Sequence, residues 1–271
     1  MTTSKKAYAK INLTLEILGT RRGDGFHDIA SVMHKVTSLY DEVSVCTKDE
    51  PGLALICDKD VCAPEQNLAW RAAVAYAGAA SQKGKTIPGL LIELKKRIPS
   101  GAGLAGGSAD AAAVLRALDE MCGVLSEKEL FALALSLGSD IPFCLYAGEC
   151  ALCTGRGEVL EPLPGLKNVQ IEVCFPKTPL FTSGIYAEYD KRHGEDYTKN
   201  KSRLLAEALK GEAPLQAYKH LLCNDFQELC EERCPEIVTL CEALSREGYA
   251  AQMSGSGSAV FGLKQNKTIN I

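Results

Sequence analysis

Five small residues between an apolar segment and an alanine-rich segment form the strongest chemical signal in the sequence. They are Gly101, Gly103, Gly106, Gly107 and Ser108, within PSGAGLAGGSADAA. Glycine lets backbone N–H groups approach an anion closely, and the N-terminus of a following helix adds about half a positive charge. The segment is typical of a phosphate-binding loop, although it matches neither GxGxxG nor GxxxxGK[ST]. The alternative is a flexible turn in which Ser108 only caps the helix.

Lys10 and Asp140 are candidates for proton transfer. A lysine cation keeps a neighbouring aspartate ionised and stabilises negative charge on an attacking oxygen, while the carboxylate accepts a hydroxyl proton. The alternatives are a helix N-cap for Asp140, which lies in GSDIP, and a solvated sheet face for Lys10 and Asn12. The sequence alone does not bring Lys10 and Asp140 together.

The cysteines predict thiols rather than a metal site or disulfides. Cys150 and Cys153 form one CxxC pair without a second pair at ligand spacing, so we expect no zinc. Four later cysteines recur at steps of seven, four and seven, which would place them on one face of a helix as small buried hydrophobes. These four are Cys223, Cys230, Cys234 and Cys241. Because the opening residues lack the apolar run of a signal peptide, we expect reduced thiols and a cytoplasmic location.

The charge balance excludes several classes of partner. The 271 residues include 30 Lys and Arg and 34 Asp and Glu, which gives a net charge of −4. Nucleic-acid and membrane-surface binders normally carry a basic excess, and no window approaches the roughly 18 apolar residues of a spanning helix. We therefore expect neither a nucleic-acid partner nor a membrane partner, while the oligomeric state stays open.

The apolar pattern predicts the elements that position these residues in the first half. Residues 7–18 alternate apolar and polar side chains, which predicts a half-buried strand. A second strand is predicted at 89–98, and an alanine-rich helix follows Asn67 as its N-cap. Ser126 and Glu129 predict a capping box at the start of another helix.

The second half is predicted to contain a strand, three helices and a closing glycine-rich hairpin. Their ranges are 169–175, 203–209, 214–230, 235–247 and 253–263. A glycine-rich turn near residues 155–157 predicts the domain boundary. It would separate an N-terminal α/β domain at 1–155 from a C-terminal α+β domain at 156–271.

Three segments, in this order, resemble the three motifs of the galactokinase/homoserine kinase/mevalonate kinase/phosphomevalonate kinase superfamily. They are AKINLTLEILGTRRGDGFHD (9–28), PSGAGLAGGSADAA (99–112) and MSGSGSAVFG (253–262). The RxDGFH of the first segment and GSDIPF at 138–143 are most similar to members that phosphorylate a cytidine-diphosphate-linked methylerythritol. The resemblance spans essentially the whole chain. It implies a two-domain α+β small-molecule kinase fold, an active site in the interdomain cleft, and transfer of phosphate from ATP to the 2-hydroxyl of that alcohol.

The same resemblance assigns roles to individual positions. Lys10 and Asp140 match the catalytic pair, and Asn67 and Lys96 match positions near the adenine, in the N-terminal ATP-binding domain. The phosphate loop matches Pro99, Gly101, Ala102, Gly103, Leu104, Ala105, Gly106, Gly107 and Ser108. Since phosphoryl transfer almost always uses Mg²⁺, we expect this ion as well, with the Ser108 hydroxyl as a ligand.

The substrate side of the resemblance centres on the cytosine base. His27 matches a position that reads the cytosine edge, and Tyr186 matches an aromatic position that stacks on the ring. The full matching set is Asn12, Phe26, His27, Asp140, Thr182 and Tyr186. This sequence departs from the family in three places: Phe26 replaces a common Tyr, Ala105 replaces a loop Gly, and Val32 or Met33 occupies a site where some members have an aromatic residue.

Three other functions remain open from the residues. The first is a kinase of the same superfamily that acts on homoserine or a mevalonate derivative. The GFH at 25–27 disfavours it, because those small substrates have no base for a histidine to recognise. The second is a non-catalytic nucleotide-binding protein, which retention of Lys10 and Asp140 disfavours. The third is an RNA-binding module, which the acidic balance disfavours.

Overall fold

The structure is a computed structural model that describes residues 1–21, 25–177, 184–193 and 199–266. The chain forms two compact units that are interleaved along the sequence. Unit 1 comprises Met1–Lys10, Val36–Ser100 and Ala105–Ala147, and unit 2 comprises Ile11–Lys35, Gly101–Leu104 and Gly148–Ile271. The mixed helix and strand content predicted from the sequence is confirmed. The single domain boundary near residue 155 stays a prediction.

Unit 1 combines strands with an alanine-rich set of helices. Its elements, of which the first two strands continue into unit 2, are β1 (Thr2–Asn12), β3 (His27–Lys48), β4 (Leu53–Cys57), α1 (Leu68–Gln82), β5 (Gly89–Lys95), α2 (Gly106–Cys122), α3 (Glu127–Leu137) and α4 (Ile141–Leu145). Strand β5 pairs antiparallel with Glu42–Lys48 of β3 and parallel with β4. One buried cluster joins Val43, Val45 and Ile92 of these strands to the alanines of α1 and α2, whose small side chains permit close packing.

Local capping signals in unit 1 agree with the sequence. The Asn67 side chain accepts a hydrogen bond from the Ala69 N–H at 2.9 Å, so the predicted N-cap of α1 is confirmed. Ser126 and Glu129 form the predicted capping box of α3. Helix starts of this kind are fixed by residues close in sequence, which is why the sequence alone places them.

Unit 2 contains two groups of strands and the remaining helices. They are β2 (Thr14–Thr20), β6 (Cys150–Thr154), β7 (Val159–Leu163), β8 (Val169–Cys174), α5 (Ile185–His193), α6 (Lys201–Lys210), α7 (Leu215–Tyr218), β9 (Cys223–Asn224), α8 (Gln227–Arg233), α9 (Glu236–Arg246), β10 (Ala250–Met253) and β11 (Val260–Gln265). Strand β2 pairs antiparallel with the start of β3 and parallel with β9, and β6 joins β3 to β7. A separate three-stranded sheet has the order β10-β11-β8.

The predicted half-buried strand at 7–18 is wrong in two respects. It is two strands, interrupted at Leu13, and every residue from Ala9 to Ile17 is buried. The polar side chains are therefore internal rather than solvated. The Glu16 carboxylate, for example, accepts hydrogen bonds from the Lys201 and Ser202 N–H groups at 3.0 and 2.7 Å, at the start of α6. A negative charge at a helix N-terminus is a favourable arrangement, which explains this buried carboxylate.

The single helix predicted at 214–230 is also wrong. The segment holds α7, the short strand β9 and the start of α8, because Asn224 makes tertiary hydrogen bonds to the Met253 and Gly255 carbonyls at 2.9 and 2.8 Å. The four late cysteines consequently do not share one helix face: Cys223 lies in β9 and Cys230 in α8, the third follows α8, and the last lies in α9. All twelve cysteines are free thiols, as predicted.

Candidate active site

Lys10 and Asp140 lie together in unit 1. The Lys10 Nζ is 3.8 Å from Asp140 Oδ2, with the two side chains 5% and 36% exposed respectively. Asp140 precedes α4, yet its side chain makes no capping hydrogen bond, and Lys10 is not on a solvated face. Neither alternative role accounts for the pair. A partly exposed carboxylate beside a buried ammonium is an arrangement suited to accepting a proton from a bound hydroxyl.

The Asn12 side chain is held in unit 2 by a chain of hydrogen bonds. Its amide Nδ2 donates to Ser31 Oγ at 2.8 Å, and that hydroxyl donates to the Thr14 carbonyl at 2.6 Å. The Asn12 backbone N–H donates to Ser254 Oγ at 3.3 Å. These contacts fix both the side chain and the backbone at the end of β1.

The closing glycine-rich turn, which connects β10 and β11, is hydrogen-bonded to the first part of the glycine-rich loop. The Ala259 N–H donates to the Ala102 carbonyl at 3.1 Å, and the Ser254 hydroxyl donates to the Gly103 carbonyl at 3.3 Å. Gly103 has φ +77°, and a Cβ at this position would lie 2.3 Å from the Ser254 carbonyl oxygen. Only glycine fits this approach of two backbones. Ser254 therefore bonds both to this loop and to Asn12. Apart from the motif itself, no sequence pattern indicated this role.

The second part of the loop opens helix α2. Ala105 adopts a left-handed conformation (φ 57°, ψ 32°), which glycine would adopt without strain, and it makes no side-chain cap. Gly106, Gly107 and Ser108 form the first turn of the helix. Because Ser108 lies inside the helix, the alternative in which it serves only as the cap is wrong. The first N–H groups of α2 have no side-chain cap at this end, as an anion-binding helix start requires.

Lys96 is an internal ion-pair residue in unit 1. It is 7% exposed, and its ammonium contacts Asp41 Oδ2 and, at 2.5 Å, Asp110 Oδ2. Burial alone would lower the pKa of Lys96, but the two carboxylates outweigh it and raise the pKa. Asp41 also accepts hydrogen bonds from the N–H groups of Arg97 and Ile98. The position of Lys96 near an adenine stays a prediction, and no sequence pattern indicated Asp41 as its partner.

Ser108 offers a hydroxyl oxygen, a ligand type that is compatible with Mg²⁺. Asp110, the nearest acid in sequence, is buried against Lys96, and its Oδ1 is sealed from solvent without a hydrogen-bond partner. Burial raises the pKa of Asp110 above its usual range. The described residues contain no cluster of three or more His, Cys, Asp or Glu able to hold a metal. A single hydroxyl ligand is compatible with Mg²⁺, because this ion usually keeps several waters and binds substrate phosphates.

The predicted base-recognition residues meet in unit 2, at the start of β3. The His27 ring centroid is 4.8 Å from that of Tyr186, with planes inclined by 36°, and His27 Nε2 is 2.8 Å from Asp190 Oδ1. Tyr186 and Phe26 are both exposed, and the Arg156 guanidinium lies 4.4 Å from the Phe26 ring centroid. Exposed aromatic rings beside a histidine form a surface suited to a flat, polar-edged ligand.

Three other positions that the resemblance singled out remain to be located. Val32 and Met33, one of which the resemblance places at a site that is aromatic in some members, are buried in β3 where it pairs with β6. Thr182 lies outside the described residues. Asp190 was missed at the sequence level, because it lies in a polar stretch without periodicity.

Comparisons with known proteins agree with this geometry. A family profile described as GHMP kinases N terminal domain matches residues 67–148, and one described as GHMP kinases C terminal matches residues 204–268. The 4-diphosphocytidyl-2-C-methyl-D-erythritol kinase of Desulfotalea psychrophila is 39% identical over 265 residues, which cover 96% of this chain and 85% of that relative. The protein of the same name from Synechococcus elongatus is 39% identical over 278 residues, covering 97% and 86%.

Solved structures give the same result. A crystal structure of 4-(cytidine 5'-diphospho)-2C-methyl-D-erythritol kinase superposes with a TM-score of 0.78 at 34% identity, covering 97% of this chain and 91% of that one. A homoserine kinase from Cytophaga hutchinsonii superposes with a TM-score of 0.71 at 18% identity, covering 98% and 86%. The second likeness concerns the fold alone.

Within the described residues, no helix combines the length and the apolarity needed to cross a membrane.

Proposed function

Because this chain belongs to the family of 4-diphosphocytidyl-2-C-methyl-D-erythritol kinases, within the GHMP kinases, we propose that it transfers the γ-phosphate of ATP to the 2-hydroxyl of 4-diphosphocytidyl-2-C-methyl-D-erythritol. This reaction is a step of non-mevalonate isoprenoid precursor synthesis, and its partners are these two small molecules. The observation that carries the proposal is the buried Lys10 ammonium beside the Asp140 carboxylate, 3.8 Å apart.

Asp140 is the proposed proton acceptor. As the alcohol oxygen forms its bond to the γ-phosphorus, the bond from that phosphorus to the bridging oxygen breaks and ADP leaves, while the hydroxyl proton passes to the carboxylate. The Lys10 ammonium stabilises the negative charge that develops on the attacking oxygen.

The nucleotide phosphates are proposed to bind the loop from Pro99 to Ser108, at the uncapped start of α2. Backbone N–H groups and the helix dipole meet negative charge there without a basic patch, which suits a chain of net charge −4. When bound, Mg²⁺ supplies neutralisation of the charge on the phosphate oxygens, and the Ser108 hydroxyl would hold it. Asn67 and Lys96 are proposed to lie on the adenine side.

The cytidine end of the alcohol is proposed to bind at the aromatic surface of unit 2. Tyr186 would stack on the base and His27 would bond to its edge, with Phe26, Asn12 and Thr182 completing the substrate side. The twelve free thiols support a proposed location in the reducing cytoplasm.

A panel of acceptor alcohols tests the proposal. The wild-type chain is incubated with ATP and Mg²⁺ and, in parallel, with the cytidine-linked alcohol, homoserine or mevalonate, and transfer is followed as ADP release and by ³¹P spectroscopy of the product. We expect transfer to the cytidine-linked alcohol alone. Faster transfer to homoserine or mevalonate would replace the proposed substrate, and ATP binding without transfer to any acceptor would identify a non-catalytic nucleotide-binding protein.

A further inference from the structure

His27 has one ring nitrogen that is bonded and one that is not. Nε2 lies 2.8 Å from Asp190 Oδ1 and 3.4 Å from Thr20 Oγ1. Nδ1 makes no hydrogen bond within the described part of the chain. Among the described residues, Asp110 Oδ1 is the one polar side-chain atom that is both sealed from solvent and without a hydrogen-bond partner. Because His27 Nδ1 has no partner but is not sealed, it reaches solvent, although the ring as a whole is largely buried.

The Asp190 contact decides which nitrogen carries the proton. An ionised carboxylate has only acceptor atoms, so it favours the form of the ring in which Nε2 carries the hydrogen. In the neutral ring the other nitrogen then presents a lone pair. The contact with Thr20 is longer and involves a hydroxyl that can donate or accept, so it imposes no preference of its own.

The ring is also fixed in orientation. Thr20 and His27 are direct partners in the pairing of β2 with β3, which sets the backbone at this position. The Tyr186 ring covers one side of the imidazole and rests in turn edge-on against the buried Phe226 ring, with centroids 4.7 Å apart. His27 therefore has few ways to turn Nδ1 elsewhere.

We propose that Asp190 is a positioning residue that presents His27 Nδ1 as a hydrogen-bond acceptor to the base of the alcohol substrate, and that it thereby selects cytosine over uracil. The inference rests on the proposed function. Cytosine carries an amino group that donates to such an acceptor, whereas uracil places a carbonyl oxygen at the same position. Two lone pairs would then face each other, and a site with an unpaired polar group discriminates strongly.

Asp190 is not needed to hold its own helix. Glu188 of α5 forms ion pairs with Arg192 on the same helix and with Arg233, the last residue of α8, and these pairs hold the helix in place. Asp190→Asn preserves the shape of the side chain but offers both an acceptor and a donor to Nε2, so either form of the ring is allowed. Glu188→Gln removes one negative charge from the same helix but leaves the contact between His27 and Asp190 unchanged, so it is the matched control.

The experiment compares kcat/KM for the cytidine-linked alcohol with that for its uridine analogue in the wild type and in both variants. We expect Asp190→Asn to reduce the cytidine preference by about ten-fold or more, with the KM for ATP within about two-fold of wild type. We expect Glu188→Gln to keep the preference. A variant Asp190→Asn that keeps the wild-type preference overturns the role of Asp190 while leaving the proposed function intact. A wild type without activity on the cytidine-linked alcohol overturns the proposed function, and this inference with it.

A second measurement does not depend on the variants. The chain has four histidines, so ¹⁵N spectra of the labelled wild type can be assigned with one His27→Gln variant. At a pH above the ordinary histidine range, we expect the His27 signal of a ring protonated at Nε2. A ring protonated at Nδ1 would overturn the proposal.

Discussion

Replacing Gly103 by alanine tests how the glycine-rich loop is held. The added Cβ would lie 2.3 Å from the Ser254 carbonyl oxygen and 3.0 Å from that of Gly257, so two backbones must separate. Gly101 provides the control, since it has nearly the same backbone angle (φ +72° against +77°) but no heavy atom within 4 Å of its Cβ position. Both variants bear the cost of a left-handed alanine, about 1–2 kcal/mol.

The difference between the two variants isolates the contact with the closing glycine-rich turn. Overpacking a close contact costs about 1–3 kcal/mol, so we expect Gly103→Ala to lower the free energy of unfolding by about that much more than Gly101→Ala. Because the loop must shift, we also expect a larger rise in the KM for ATP. Urea denaturation and initial-rate kinetics measure both quantities. Equal stability and equal KM in the two variants would refute the view that Ser254 and Gly257 position the loop.

Three further predictions address neighbouring features. Gly107→Ala should leave the melting temperature unchanged or higher, because the atom nearest to the added Cβ is Leu68 Cδ1 at an ordinary 3.5 Å. It should nevertheless raise the KM for ATP, and thermal unfolding and initial-rate kinetics measure the two effects. Ala105→Gly should raise the melting temperature or leave it unchanged, because it relieves a left-handed alanine, and a clear decrease would contradict this. Burial lowers the pKa of His34, which accepts a hydrogen bond from the Leu166 N–H at 3.0 Å. The unfolded state therefore binds the proton more readily, so the free energy of unfolding should fall as the pH drops below about 6.5. Urea unfolding across this pH range should show a smaller fall in His34→Gln.

The features that the sequence predicted are those set by near neighbours. The N-cap at Asn67, the capping box at Ser126 and the glycine-rich start of α2 depend on residues within a few positions, so their patterns are visible in the chain. The pairing of Lys10 with Asp140 became an expectation only through resemblance to a family, since nothing local relates positions so far apart.

The features that the sequence missed depend on distant partners. Polar alternation in β1 and β2 indicated a solvated face, but Glu16 is bonded to the start of α6, 185 residues later. The tertiary bonds of Asn224 likewise interrupt a segment with helical periodicity. Asp190 gave no signal, because its role depends wholly on a strand 163 residues earlier. Hydrogen bonds of this kind override local propensity and leave no periodic trace.

Asp140 is proposed to accept the proton during phosphate transfer, with Lys10 as its partner. Single-turnover transfer from ATP to the cytidine-linked alcohol by Asp140→Asn, measured alongside ATP affinity and thermal stability, tests this role directly. We expect the rate to fall by about 10²–10⁴ while ATP binding and folding stay close to wild type. We also expect the double variant with Lys10→Met to be scarcely slower than either single variant. An Asp140→Asn variant that folds, binds ATP and keeps most of its transfer rate would show that Asp140 is not the proton acceptor.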